Sequence, residues 1–75
     1  MPHIIVKLHS GRSEAEKTDL ATRIARSVTE AIGSPDKAIS IAIEEIAPDH
    51  WMEDVYETEI RPKLDQLYKR PGYGA

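Results

Sequence analysis

Hydrophobic and polar positions alternate over residues 3–9 (His-Ile-Ile-Val-Lys-Leu-His). Ile4, Val6 and Leu8 fall on one side, and His3, Ile5, Lys7 and His9 on the other, a period of two that predicts a β-strand. Ser10-Gly11-Arg12 reads as a turn. Beyond it the period lengthens. Leu20, Ile24, Val28 and Ile32 are spaced by four, with Ala21 and Ala25 beside them, so one apolar stripe runs along a helix. Ser13 and Glu16 have capping-box spacing, in which hydroxyl and carboxylate satisfy the first free amides. Gly33 suits the left-handed residue that closes a helix, and Pro35 prevents continuation. Alternation returns over residues 38–46, where Ile39, Ile41 and Ile43 are interleaved with Ser40, Ala42 and Glu44, and predicts a second strand.

Strand, helix and strand with short connections make a βαβ unit, with parallel strands and a right-handed crossover. The expected class is therefore α/β, with a long crossover helix. After Pro48 the pattern turns helical again. Asp49 is a candidate cap, Trp51, Val55, Ile60, Leu64 and Leu67 approximate one face, and Pro62 should kink or divide the segment. The tail from Lys69 to Ala75 is irregular, free to fold over the body or a neighbouring subunit.

Length adds a constraint. The chain has 75 residues, which makes one domain (1–75), and a chain this short buries only about 60% of its unfolded surface. A two-stranded sheet is marginal alone. No cysteine is present, which excludes disulfides and thiolate metal sites. Oligomerisation is the stabilising device left. Hydrophobic residues are 40% and charged residues 31%, the balance of a folded domain. A net charge of −3 gives no electrostatic footprint for nucleic acid. No apolar run spans a membrane, and the N-terminus does not read as a signal peptide. A cytoplasmic protein is expected.

Candidate chemistry is sparse. The chain begins Met-Pro, and methionine removal ahead of the small proline would expose a secondary amine. An apolar pocket near a cation would disfavour its charged form and lower its pKa, leaving a base poised for proton transfer. The dipeptide is also a common, inert start. Arg12, at the end of the first strand, can grip a carboxylate with two parallel hydrogen bonds; taken alone it reads first as an ordinary solvated arginine. Trp51, the only tryptophan, suits a pocket wall or a core position. Ser40 points away from the isoleucine face, where it is solvated or lines a site. His3, His9 and His50 lack metal-site spacing and read as surface or hydrogen-bonded histidines. Glu44 and Glu45 point to opposite sides and are no catalytic pair. Seven acidic and no basic residues from Glu44 to Glu59 make a solvated acidic surface.

The opening Met-Pro, the short alternating strand, Gly11-Arg12-Ser13 before a capped helix, Pro35 ahead of the second strand and Trp51 beyond it form an ordered set. The set resembles the 4-oxalocrotonate tautomerase family over nearly the whole chain. Pro2-His3-Ile4, Ile39-Ser40-Ile41-Ala42-Ile43, Pro48-Asp49-His50-Trp51, Glu59-Ile60-Arg61-Pro62 and Lys69-Arg70-Pro71-Gly72-Tyr73 are similar to the branch of dimeric, phenylpyruvate tautomerase-like proteins. The resemblance implies a βαβ tautomerase fold completed by pairing of two subunits, Pro2 as general base and then acid, Arg12 at a substrate carboxylate and Trp51 in the pocket wall. The substrate it implies is a small enol or α-keto acid, with no cofactor required. Ser40 departs from the family pattern, since the best-known members carry a second arginine there, which puts dicarboxylate substrates in doubt. Within the family, Pro-dependent dehalogenases and decarboxylases are the alternative chemistry, and a non-enzymatic oligomeric binding module is the alternative class.

Overall fold

The computed structural model describes residues 1–74, which begin with β1 (His3–His9), α1 (Glu14–Ile32) and β2 (Ser40–Ile46) and continue in π and 3₁₀ segments. Ala75, the last residue of the expected tail, lies outside the described residues. The chain divides into two units, residues 1–45 and 46–75.

In the first unit β1 and β2 form a two-stranded sheet. Its register follows from two side-chain pairs: His3 meets Ser40 and Lys7 meets Glu44. Both pairs are 37 residues apart (40 − 3 and 44 − 7), and a constant offset means parallel strands. The βαβ reading of the sequence holds. Along β1, Ile4, Val6 and Leu8 are half-buried, whereas His3, Ile5 and His9 are exposed. Lys7 is the departure from strict alternation, being half-buried beside Glu44.

Helix α1 starts where the capping box expects. Ser13 N–H donates to Glu16 Oε1 (3.0 Å), and Glu16 N–H donates to Ser13 Oγ (3.1 Å). It ends at Gly33, whose φ of 76° is left-handed and whose N–H reaches the Thr29 carbonyl at 2.9 Å. Leu20, Ala21, Ile24, Ala25 and Val28 form the half-buried stripe. Ile32 does not continue it and is 70% exposed, because the chain turns away at Gly33. Lys17 ties α1 to β2, its Nζ lying 2.6 Å from Glu45 Oε1 and 2.8 Å from Glu14 Oε1. Glu45 therefore lies on the helix-covered side of the sheet and Glu44 on the Lys7 side, as the alternation requires.

Two boundaries differ from the sequence reading. Residues 36–38 form a 3₁₀ turn and not the start of β2, with Ala38 N–H donating to the Pro35 carbonyl and Ile39 N–H to that of Asp36. Pro35 holds the chain extended (φ −68°, ψ 152°) just before this turn, so pairing begins only at Ser40. Asp49 is not a cap: it sits inside a 3₁₀ turn, Pro48–His50, that has no side-chain cap.

In the second unit the expected helix is a π-helix, Met52–Ile60, followed by a 3₁₀ segment, Arg61–Gln66. The π-helical ladder is marked by the Arg61 N–H, which reaches the Tyr56 carbonyl five residues back. The wider turn explains why Trp51, Val55 and Ile60 only approximated an α-helical face, and it adds Tyr56 to that face. Val55 and Tyr56 are the buried hydrophobic residues among those described. Pro62 has no N–H to extend the ladder. The segment divides there, and Lys63 takes non-helical angles (φ −121°, ψ 18°). Among the described residues no helix is long and apolar enough to cross a membrane.

Candidate active site

Pro2 heads β1 and is half-buried, while Met1 before it is fully exposed. The Pro2 carbonyl accepts the Ser40 N–H at 3.2 Å. Ser40 Oγ lies 2.6 Å from His3 Nδ1. One end of the sheet thus brings together Pro2, His3 and Ser40. The parallel register makes this happen, since the first residue of β2 stands opposite the first of β1. Further along the same side lie Ile5, which is 53% exposed, and the Lys7–Glu44 pair at 3.8 Å.

Arg12 sits beyond the other end of β1. Its Nη1 lies 3.6 Å from Glu16 Oε2, and its side chain is 67% exposed. Gly11 makes the turn with φ 120°, a conformation that favours glycine, and its N–H points to Glu45 Oε2 at 3.4 Å. Beside Arg12 opens a cleft of about 590 Å³, lined by Val6, Leu8, Lys17, Leu20 and Arg23 among others. Its floor is apolar, and its rim carries charges of both signs, Glu16 paired with Arg12 and Asp19 with Arg23. At about 3.3 Å per residue, β1 alone sets its two ends about 20 Å apart. A single chain does not bring Arg12 to Pro2.

Three ionisable groups here are shifted. Hydrogen bonds from the Ser13 N–H and hydroxyl hold the Glu16 carboxyl below its ordinary pKa, with Arg12 adding to the effect. The Lys17 ammonium at Glu45 and the Gly11 N–H lower the Glu45 carboxyl. Reciprocally, Glu14 and Glu45 raise Lys17. These groups fix the turn that carries Arg12.

Trp51 lies in the second unit, half-buried at the head of the π-helical segment. Its indole Nε1–H donates to the Tyr73 hydroxyl at 2.8 Å. The Tyr73 ring packs on that of Tyr56, with centroids 5.7 Å apart and planes tilted by 46°. Gly74, at φ 94°, passes so close that a Cβ there would collide with the Tyr56 ring and hydroxyl. Pattern reading missed this aromatic cluster because the tail lacks periodicity. His3 is the exposed, hydrogen-bonded histidine the sequence suggests, but its partner Ser40 is visible only once the register is known. Among the described residues no cluster of three or more His, Asp or Glu side chains could hold a metal ion.

The architecture is the 4-oxalocrotonate tautomerase fold. The crystal structure of YwhB, a homologue of that enzyme, matches with a TM-score of 0.63 and 33% identity over 65% of this chain and 80% of its own. The chain belongs to the tautomerase family, whose model (tautomerase enzyme) matches residues 2–56. Tautomerase PptA of Pectobacterium carotovorum is 47% identical, with 97% of each chain covered. A probable tautomerase of Xylella fastidiosa is 43% identical over 99% of this chain and 90% of its own. The protein is an enzyme of the isomerase class, with tautomerase activity.

Proposed function

We propose that the enzyme moves a proton between oxygen and carbon of a small enol or α-keto acid such as phenylpyruvate, with the Pro2 amine as base and then acid. The observation that carries this reading is the setting of Pro2. It is half-buried and tethered through its carbonyl to Ser40, while Met1 projects fully exposed. Removal of Met1 sacrifices no packing and frees a secondary amine at the head of β1. The family match beginning at residue 2 supports the same point.

In the reaction, neutral Pro2 takes the enol hydroxyl proton. The oxygen electron pair closes to C=O, and the C=C pair takes a proton from the Pro2 ammonium at carbon. Atoms and charge balance with no co-reactant. Ser40 faces the reacting oxygen beside Pro2. Arg12 holds the carboxylate and Trp51 walls the pocket. Since one chain keeps Arg12 away from Pro2, a second copy supplies it, and the working form is a homodimer of single-domain chains in the cytoplasm. Dimerisation also covers apolar side chains such as Ile5 that one chain leaves exposed.

The test is ketonisation of enol-phenylpyruvate, followed by ultraviolet absorbance, with untagged protein of verified N-terminal mass beside Pro2→Ala. Fast turnover that collapses in the variant is expected. Wild-type turnover no faster than the variant refutes the reading.

A further inference from the structure

Ser40 Oγ has one proton and two lone pairs, so the direction of its 2.6 Å hydrogen bond with His3 Nδ1 decides what it offers a ligand. If Nδ1 is bare, the serine proton is consumed by the ring and Ser40 presents only lone pairs. If Nδ1 carries the proton, the ring donates to Oγ and the serine O–H is released to point elsewhere. The backbone bond to Pro2 places Ser40 beside the proline. Its N–H is bound to the Pro2 carbonyl, and its side chain lies on an exposed part of the sheet.

Resting on the tautomerase reading above, we propose that His3 is a positioning residue. It holds its proton on Nδ1, donates to Ser40 Oγ, and so aims the Ser40 hydroxyl at the substrate oxygen that gains negative charge as Pro2 removes its proton. Ser40 is then the catalytic donor. A developing enolate needs a donor placed before the reaction, and a lone pair there would repel it. The substrate class follows from the charge of this donor. A hydroxyl is neutral, so it stabilises an enolate oxygen but offers no full charge to a second carboxylate. Such a donor is in keeping with a monocarboxylic enol.

The experiment combines steady-state kinetics with nitrogen NMR of the histidine rings. The variants are Ser40→Ala, His3→Ala, His3→Asn and the double alanine variant, each checked for wild-type melting temperature and oligomeric state. In the wild type the His3 Nδ1 signal should be that of a protonated nitrogen, and Ser40→Ala should change it. Ser40→Ala should lower kcat by about 10-fold or more, toward the ~10²–10³-fold loss known for an oxyanion donor, with KM little changed. His3→Ala should lose part of this, and His3→Asn, whose amide N–H can reach Oγ, should recover it. The double variant should match Ser40→Ala, because the two residues act as a unit. An unchanged kcat in Ser40→Ala, or a bare Nδ1 in the wild type, overturns the proposal. A wild type that does not turn over the enol refutes the substrate reading separately. The NMR signal then decides the His3 assignment: protonated Nδ1 upholds it and bare Nδ1 overturns it.

Discussion

Pro2 and Arg12 stand at opposite ends of β1, seven residues of extended strand between them. On the proposed function, the carboxylate grip and the base of one site therefore come from different copies. This arrangement makes complementation the sharpest test. Pro2→Ala and Arg12→Ala homodimers should each be impaired, the first by ~10²–10⁴-fold in rate and the second chiefly through a raised KM. Mixed and allowed to exchange, they form heterodimers with one intact site. At equal, statistical mixing about a quarter of wild-type activity should return. Mixtures no more active than their components place Pro2 and Arg12 in sites that do not share subunits.

Helix α1 depends on its first turn. Ser13→Ala removes the cap hydroxyl and should cost about 1 kcal/mol, read as a fall of about 4–8 °C in melting temperature for a chain of this size. Because Ser13 also closes the turn carrying Arg12, the variant should raise KM more than it lowers kcat. An unchanged melting temperature would mean the capping box contributes nothing.

The carboxylates of Glu16 and Glu45 give a pH dependence of defined sign. Both have folded pKa values below the ordinary one, through Ser13 for Glu16 and Lys17 for Glu45. Their contribution is present above the unfolded pKa of about 4.3 and is lost as pH falls through the lower folded value. Melting temperature should thus decline on acidification below about pH 4.3, and the decline should be shallower in Glu16→Gln and Glu45→Gln. Raised Lys17 acts at the other extreme: its contribution is full below its unfolded pKa and lost as pH climbs through the folded value. Parallel acid profiles for wild type and both variants contradict the assignment.

The single tryptophan reports on the tail. Tyr73→Phe removes the acceptor of the Trp51 indole and should cost ~0.5–1.5 kcal/mol, with a shift in tryptophan emission. Gly74→Ala should give the same emission change by another route, since its Cβ meets the Tyr56 ring and its backbone sits at φ 94°. If Gly74→Ala leaves the emission unaltered, the tail is not held by Tyr56.

How far these features could be read from the residues differs from element to element. β1, the capping box and Gly33 are local: hydrogen bonds within a few residues decide them, and the residue order displays them. The start of β2 is not local. Alternation runs back to Ala38, yet Pro35 and the 3₁₀ turn delay pairing to Ser40, and that shift of two residues determines whether His3 faces alanine or serine. The π-helix is not legible because its ladder is defined by backbone bonds five residues apart, which no residue type at these positions marks. Of the candidate site, Pro2 and Ser40 are neighbours through the register. Arg12 was nominated by its type and by resemblance, and its distance from Pro2 emerges only from the length of β1. The grip of Tyr73 on Trp51 spans 22 residues across irregular chain, where no period exists to reveal it.

On the proposed role of Pro2, Met1 is in effect a one-residue propeptide. While it is attached, the nitrogen of Pro2 is an amide with no basic lone pair, and the folded chain is a finished scaffold without its reagent. Since Met1 projects clear of the single chain, an aminopeptidase can reach it before two subunits pair. The specific activity of any preparation then measures the fraction of trimmed N-termini. Overproduction that outruns the cell's trimming capacity would yield a well-folded, uniformly melting and largely silent enzyme.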